Sequence, residues 1–370
     1  MCPDDEHYMD RALELGRRGL GNTWPNPAVG CVLVRDNRIV GEGWTQPGGT
    51  PHAETQALAM AGTLAQGATA YVTLEPCAHH GKTPPCTDAL IDAGVSRVVA
   101  PFDDRDPRVA GQGFDQLRAA GIEVTTGIAT LAAAEHHAGF FHSIELGRPL
   151  LTLKLATSLD GRIATASGDS QWITGPEARA HVHNLRASND AVMVGAGTVR
   201  ADDPLLTVRG RNVPKQPVRI VVTRRLDLPR DGNLAHTIPD APLWLCHGED
   251  APSEARHAWQ TLGAKLVQVP PIGRQLDIAA MIQALGDAGL TRVFCEGGGE
   301  LAASLLHADV VDRLELHMGG VIIGAEGRPA LGALGLDRLS DAPRFALRSV
   351  RQIGDDVVQS WSRLPRQSQA

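Results

Sequence analysis

A chain of 370 residues exceeds the usual size of one hydrophobic core, so two domains are expected. An apolar fraction of 43% with 21% charged residues excludes a disordered chain, and no run of about 18 apolar residues marks a membrane span. The net charge of −7 is uneven: residues up to Gly147 carry 10 Lys+Arg against 18 Asp+Glu, and the remainder 25 against 24. The acidic opening Met1-Cys2-Pro3-Asp4-Asp5-Glu6 has no apolar core of a secretory signal, and six cysteines are too few for a disulfide scaffold. A cytoplasmic protein is expected.

In chain order, Tyr8 to Gly19 has the spacing of an amphipathic helix, with Ala12, Leu13 and Leu15 inward. Val29 to Val34 and Arg38 to Gly43 read as strands around the tight-turn pair Asp36-Asn37. Helices are expected over His52 to Ala61, with Pro51 at its start, and over Cys86 to Ala93 and Gly113 to Ala120. Strands are expected over Ala68 to Leu74, Arg97 to Ala100 and Ile122 to Thr126. Such alternation predicts a three-layer α/β unit. Gly147-Arg148-Pro149 then breaks the chain, so the expected domains are 1–147 and 148–366. Leu150 to Ala156 opens the second, followed by strands at Ala191 to Gly195, Val218 to Thr223, Leu243 to Cys246, Arg292 to Cys295, Arg313 to His317, Ala346 to Arg351 and Asp356 to Trp361. Its helices are expected over Glu177 to Ala187, Ile278 to Ala288 and Glu300 to Ala308, with a frayed tail from Leu364 to Ala370.

Chemistry concentrates on one stretch of the first half. His52-Ala53-Glu54 is followed by Pro76-Cys77 and, nine residues on, by Cys86. One imidazole and two thiolates leave one tetrahedral position of a zinc ion open, the pattern of a catalytic rather than a structural site. Zinc lowers the pKa of bound water to about 7, and Glu54, two residues from His52, is placed to carry the proton without ligating the ion. That is the chemistry of hydrolytic deamination of a planar heterocycle. A closed zinc knot would need a fourth ligand, for which His79 or His80 is nearby; the Glu54 spacing and the Pro-Cys pair argue against it. A nucleic-acid substrate would require a basic phosphate track and aromatic platforms, whereas this half is acidic and only 4% of the chain is aromatic. A small-molecule substrate follows.

The segments Pro51-His52-Ala53-Glu54 and Thr73-Leu74-Glu75-Pro76-Cys77-Ala78-His79-His80-Gly81-Lys82-Thr83-Pro84-Pro85-Cys86 resemble the bifunctional pyrimidine deaminase/reductase family of riboflavin biosynthesis. So does Asn26-Pro27-Ala28-Val29-Gly30-Cys31. Most cytidine-type deaminases carry two residues between the cysteines; the eight present here, with the Gly-Lys-Thr-Pro-Pro insert, match this family. Lys82 is a candidate cation for a ribose phosphate, and Asn26 and His79 are candidates for hydrogen bonds to the pyrimidine.

In the second half, Gly195-Ala196-Gly197-Thr198-Val199-Arg200 has arginine where a dinucleotide fingerprint has its third glycine. Glu296-Gly297-Gly298-Gly299-Glu300 follows a strand and precedes a helix, where backbone N–H groups accept a phosphate. The resemblance extends here through Leu153-Lys154-Leu155-Ala156-Thr157-Ser158-Leu159-Asp160-Gly161, Ser170-Gln171-Trp172-Ile173-Thr174 and Ala201 to Arg209. It implies a cytidine-deaminase-like domain followed by a dihydrofolate-reductase-like α/β domain. It also implies NADPH contacts at Ala156, Trp172, Thr198, Asp202, Gly298, Gly299, Glu300, Leu301, Ala302, Ala303 and Ser304, and substrate contacts at Ser170, Arg186, Leu206, Arg209 and Glu296. Arg186 and Arg209 can act as bidentate forks on a 5-phosphate. The implied reactions are deamination of a phosphoribosylated diaminopyrimidinone and hydride transfer from NADPH to C1 of its ribose. Lys154 is favoured over Asp160 as the proton donor, since an ammonium can polarise the sugar oxygen. Arg200, Thr223 and Arg224 are the candidates for preferring NADPH over NADH. A deaminase with a non-catalytic nucleotide-binding or dimerisation domain is the alternative. By analogy with the deaminase fold, a homo-oligomer is expected.

Overall fold

A computed structural model describes residues 4–80, 84–106, 109–273 and 275–364. The chain divides into two compact units, Met1–Gly147 and Arg148–Ala370.

The first unit runs α1 (Asp5–Arg17), β1 (Gly30–Arg35), β2 (Arg38–Trp44), α2 (Ala53–Ala61), β3 (Thr69–Val72), α3 (Cys86–Asp92), β4 (Arg97–Val99), α4 (Gln112–Ala119), β5 (Glu123–Thr125) and α5 (Thr130–Leu146). Its sheet has the order β2-β1-β3-β4-β5; the β1 pairings are antiparallel and β3, β4 and β5 run parallel. Asp36 and Asn37 both take positive φ, as a two-residue hairpin of this hand requires. Alternation on β1 sends Cys31 and Leu33 into one apolar cluster and Val32 and Val34 into the other, so the sheet is buried on both faces.

The sequence pattern misses α5, the longest helix among the described residues. Two of its buried positions are His136 and His137, whose ring nitrogens meet the carbonyls of Ala28 and Thr73. A hydrophobic pattern does not register histidines that fill a core by hydrogen-bonding strand ends.

The second unit runs β6 (Leu150–Thr157), β7 (Arg162–Ala164), α6 (Pro176–Ala187), β8 (Ala191–Gly195), α7 (Ala196–Asp202), β9 (Val218–Val222), α8 (Asn233–His236), β10 (Leu243–Gly248), α9 (Ser253–Thr261) and β11 (Lys265–Val269). It continues with β12 (Pro271–Ile272), β13 (Gln275–Leu276), α10 (Ile278–Asp287), β14 (Arg292–Gly297), α11 (Gly299–His307), β15 (Arg313–Met318), β16 (Arg328–Pro329), β17 (Phe345–Ile353) and β18 (Asp356–Arg363). Nine strands form one sheet in the order β11-β10-β9-β8-β14-β6-β15-β18-β17, parallel from β11 to β15 and antiparallel at the β18-β17 end. Because β14 returns between β8 and β6, the loops after β8 and β14 leave the same end of the sheet, where open α/β sheets place ligands. The expected strands and helices of this unit are all present. Those not foreseen include α7, α9 and β11. Of the expected frayed tail, residues 365–370 lie outside the described residues.

Candidate functional site

Three local features bring the first group together. His52 occupies the cap position before α2, Cys77 follows the end of β3, and Cys86 is the first residue of α3. The ligand atoms of the three lie within 4.8 Å of one another. His52 Nδ1 is 3.2 Å from Cys86 Sγ and 3.6 Å from Cys77 Sγ. Tetrahedral zinc with ordinary Zn–N and Zn–S bonds sets such edges at about 3.6 Å. The donor set and its spacing therefore fit zinc. Among the described residues no fourth His, Cys or carboxylate joins the group, and His79 and His80 are exposed, so the closed-knot alternative finds no ligand.

The electrostatics suit a metal-binding thiolate. The Cys77 sulfur interacts with the Cys86 thiol and His52 and accepts the Cys86 N–H at 3.3 Å; it is held down to about 4. Cys86 is pushed up in turn, by its hydrogen bond to the Cys77 sulfur and by burial. His52 is raised, first by its bond to Cys77. Glu54, in the first turn of α2, is 4% exposed; burial raises its carboxyl, and the Cys77 thiolate adds to this.

Two supports of this centre were not foreseen. The buried Glu75 carboxylate accepts the N–H groups of Asp104, Gly111 and Gly113 at 2.7, 2.9 and 2.8 Å, anchoring the loop beside the Pro76-Cys77 turn. A carboxylate directly before the Pro-Cys pair was the available signal. The second is β2: a Cβ on Gly43 would fall 2.2 Å from the Ala53 carbonyl, so only glycine lets the start of α2 sit this close to the sheet. Gly43→Val is expected to displace His52 and weaken zinc affinity about 10- to 100-fold, measured by competition with a chelator; unchanged affinity would show that α2 is not positioned by this contact. Asn26 is half-buried against Gly49. Lys82 lies outside the described residues.

In the second unit, Gly297, the last residue of β14, and Gly298, just before α11, take φ of +80° and +91°, a conformation L side chains rarely adopt. Thr198 of α7 reaches across, its hydroxyl donating to the Gly297 carbonyl at 3.3 Å. The N–H groups at the start of α11 suit a phosphate, while Ala302 N–H already donates to Gly298 and the Ser304 hydroxyl to Glu300. Leu301, Ala302 and Ala303 are buried. Trp172 is 66% exposed, with the Arg179 guanidinium 4.3 Å from its ring centre, which leaves a flat wall available to a cofactor. Asp202 is exposed at the end of α7 and Ser170 is half-buried.

Glu296 sits at a bulge between β14 and β8, which aims its carboxylate at Arg186. This changes one expectation. Arg186 is not a free phosphate fork, because Nε and Nη2 grip Glu296 and Nη1 donates to the Thr207 carbonyl at 2.8 Å. The pair holds the Glu296 carboxylate ionised despite burial. Arg209 is exposed, and its guanidinium makes no hydrogen bond or ion pair among the described residues. Its backbone N–H donates to His183 Nδ1 at 3.1 Å, and Leu206 beside it is buried with φ of +55°.

On β6, Lys154 and Ala156 share a face, paired in register with Glu315 and His317 of β15. Burial lowers the Lys154 ammonium, opposed by Glu296 and reinforced by Arg186, and it makes no hydrogen bond among the described residues. Asp160, the other candidate proton donor, is committed elsewhere: it accepts from Ser158 Oγ and from two backbone N–H groups. His317, fully buried with neither ring nitrogen hydrogen-bonded among the described residues, stacks on His181 with ring centres 5.7 Å apart; nothing in its sequence context marked it.

An open His/Cys/Cys group beside a buried glutamate, in a three-layer unit, defines a zinc-dependent deaminase, here followed by an α/β unit with a glycine loop at the strand ends. The family described as the cytidine and deoxycytidylate deaminase zinc-binding region matches residues 3–101, and the RibD C-terminal domain matches residues 149–359. Riboflavin biosynthesis protein RibD of Escherichia coli is 43% identical over 95% of this chain and 98% of its own, and that of Aquifex aeolicus 40% identical over 96% and 97%. Acinetobacter baumannii RibD superposes with a TM-score of 0.87 at 37% identity, covering 98% of this chain and 99% of that one. A Thermotoga maritima diaminohydroxyphosphoribosylaminopyrimidine deaminase/5-amino-6-(5-phosphoribosylamino)uracil reductase gives 0.85 at 33% identity over 97% and 99%. The chain belongs to the RibD family of riboflavin biosynthesis enzymes. No helix among the described residues is long and apolar enough to cross a membrane.

Proposed function

We propose that this enzyme deaminates 2,5-diamino-6-(5-phosphoribosylamino)pyrimidin-4(3H)-one at the His52/Cys77/Cys86 centre. It then reduces the ribosyl group of 5-amino-6-(5-phosphoribosylamino)uracil with NADPH. The observation that carries the reading is the three-ligand group with buried Glu54 beside it. Zinc, when bound there, supplies Lewis acidity toward the attacking water. Glu54 takes one proton from that water and delivers it to a ring nitrogen; it then takes the second from the hydroxyl added to the ring carbon and gives it to the amino group, which leaves as ammonia. The domains are assigned as 1–147 for deamination and 148–366 for reduction.

In the second domain NADPH supplies the hydride. The Gly298 loop and the start of α11 hold a phosphate of the cofactor, and Trp172 packs on it. Arg209 takes the 5-phosphate of the substrate, while Glu296, fixed by Arg186, accepts hydrogen bonds from hydroxyl or N–H groups of the substrate. Lys154 protonates the sugar oxygen as C1 receives hydride and the C1–O bond opens. A lysine acting as an acid works at low pH and fails as pH rises through its pKa, which burial has lowered. The alkaline limb of the reductase profile is therefore expected below the ordinary lysine range. Lys154→Met should remove that limb and lower kcat by about 10²- to 10⁴-fold; a limb that persists in the variant would assign the proton to another group.

Zinc content, ammonia release from the diaminopyrimidinone phosphate and NADPH oxidation by the deaminated product test the whole reading. Ammonia release without NADPH oxidation would leave a deaminase with a non-catalytic second domain. We assign a cytoplasmic location, since an unpaired thiolate site suits a compartment that keeps thiols reduced. Homo-oligomers are expected by analogy with the deaminase fold, and sedimentation measures them. Nucleic acid is not a partner, given the acidic first half.

A further inference from the structure

We propose that Asp160 is a positioning residue of the cofactor site, anchoring the segment 319–332 so that it holds the Gly299 backbone at the start of α11. The inference rests on the NADPH-dependent reading of this domain.

The anchor is at one end of the segment. Asp160, in the turn after β6, accepts from Ser158 Oγ at 2.6 Å, Ile323 N–H at 3.2 Å and Gly324 N–H at 2.7 Å. Leu159 N–H donates to the Val321 carbonyl at 2.8 Å beside it. These bonds hold the carboxyl down to about 2, so the anchor stays ionised throughout the working pH range. From there the segment pairs with β7 through β16, and Ala330 N–H donates to the Gly161 carbonyl at 3.1 Å.

The other end reaches the glycine loop. Gly332 N–H donates to the Gly299 carbonyl at 3.0 Å. A Cβ on Gly299 would stand 3.4 Å from the Pro329 and Ala330 carbonyls and from Gly332 N, so the segment lies directly against that backbone. Gly297 and Gly298 have no side chains to fix their own conformation, and glycine loses the most freedom on ordering. A loop of this kind keeps its N–H groups aimed only if neighbouring structure restrains it. The segment is such a restraint, and the Asp160 carboxylate, through charge-assisted bonds to two N–H groups, fixes its near end.

Fluorescence titration of the full chain with NADPH, without pyrimidine, reads the effect directly. Asp160→Ala is expected to weaken NADPH binding about tenfold, and Ser158→Ala, which removes one bond to the carboxylate, about two- to threefold. KM for NADPH should rise in parallel, with kcat within about threefold of the parent and the deaminase rate unchanged. Asp160→Asn keeps one acceptor but turns an amide toward the Gly324 N–H, and should fall between the two. A purely structural role would lower thermal stability without this split between KM and kcat. NADPH affinity within about twofold of the parent in Asp160→Ala would overturn the inference, as would a loss confined to kcat. If Asp160→Ala does not fold, Ser158→Ala and Asp160→Asn decide by the same affinities. A parent that neither binds nor oxidises NADPH would overturn the reductase reading itself; a competent parent with unaltered variants would overturn only the role of Asp160.

Discussion

Glu54→Gln is expected to retain zinc and lose deaminase turnover by about 10²- to 10⁴-fold, the range for removing a general acid–base group. Glutamine matches glutamate in shape, so the buried position in the first turn of α2 is filled without a cavity. The side chain is not one of the three ligands, so the metal set survives. What disappears is the capacity to take a proton from water and hand it on. The reductase rate with deaminated substrate should be unchanged, because Glu54 belongs to the deaminase centre. Metal analysis of the variant together with ammonia release tests this. A variant that keeps zinc and full turnover would show that another group moves the proton.

Arg97→Met should destabilise the first unit by about 3–5 kcal/mol, the usual cost of stripping one partner from a buried ion pair. Asp5, in the first turn of α1, is fully buried, and Arg97 of β4 grips it with two nitrogens at 2.9 and 3.0 Å. Tyr71 of β3 donates a further bond to the same carboxylate at 2.9 Å. The arginine also holds Thr125 of β5, so one side chain ties α1 to the parallel half of the sheet. Without it, the buried Asp5 carboxylate loses two charge-assisted bonds. Asp5→Leu combined with Arg97→Met removes both charges and should recover part of the loss. Denaturant unfolding followed on this unit measures the change; a shift under about 1 kcal/mol would mean that the pair behaves as a surface bridge.

How much of this was legible in the sequence differs between the two sites. The metal centre was legible because its ligands stand at the ends of local elements: the starts of α2 and α3 and the turn after β3 present His52, Cys86 and Cys77 almost wherever the helices pack. In the reductase domain, residues of the glycine loop were found for the same reason, since a strand, a glycine run and a helix are consecutive. Elements were missed where the pattern lacked apolar periodicity, as in α5 with His136 and His137 inside.

The amino-acid order was enough to pick out the His/Cys/Cys group, the glutamate beside it and the alternation of strands and helices, because each depends on spacing within one or two elements. Packing alone revealed that Arg186 is held by Glu296 110 residues away, while the Arg209 guanidinium makes no hydrogen bond or ion pair among the described residues. It also revealed that Asp160 accepts hydrogen bonds from backbone N–H groups more than 160 residues downstream. Those partners meet because β14 inserts between β8 and β6, and because the chain returns over the turn that follows β6. Strand order and long loop closures are set by the summed burial and hydrogen bonding of the whole sheet, and no local spacing encodes them.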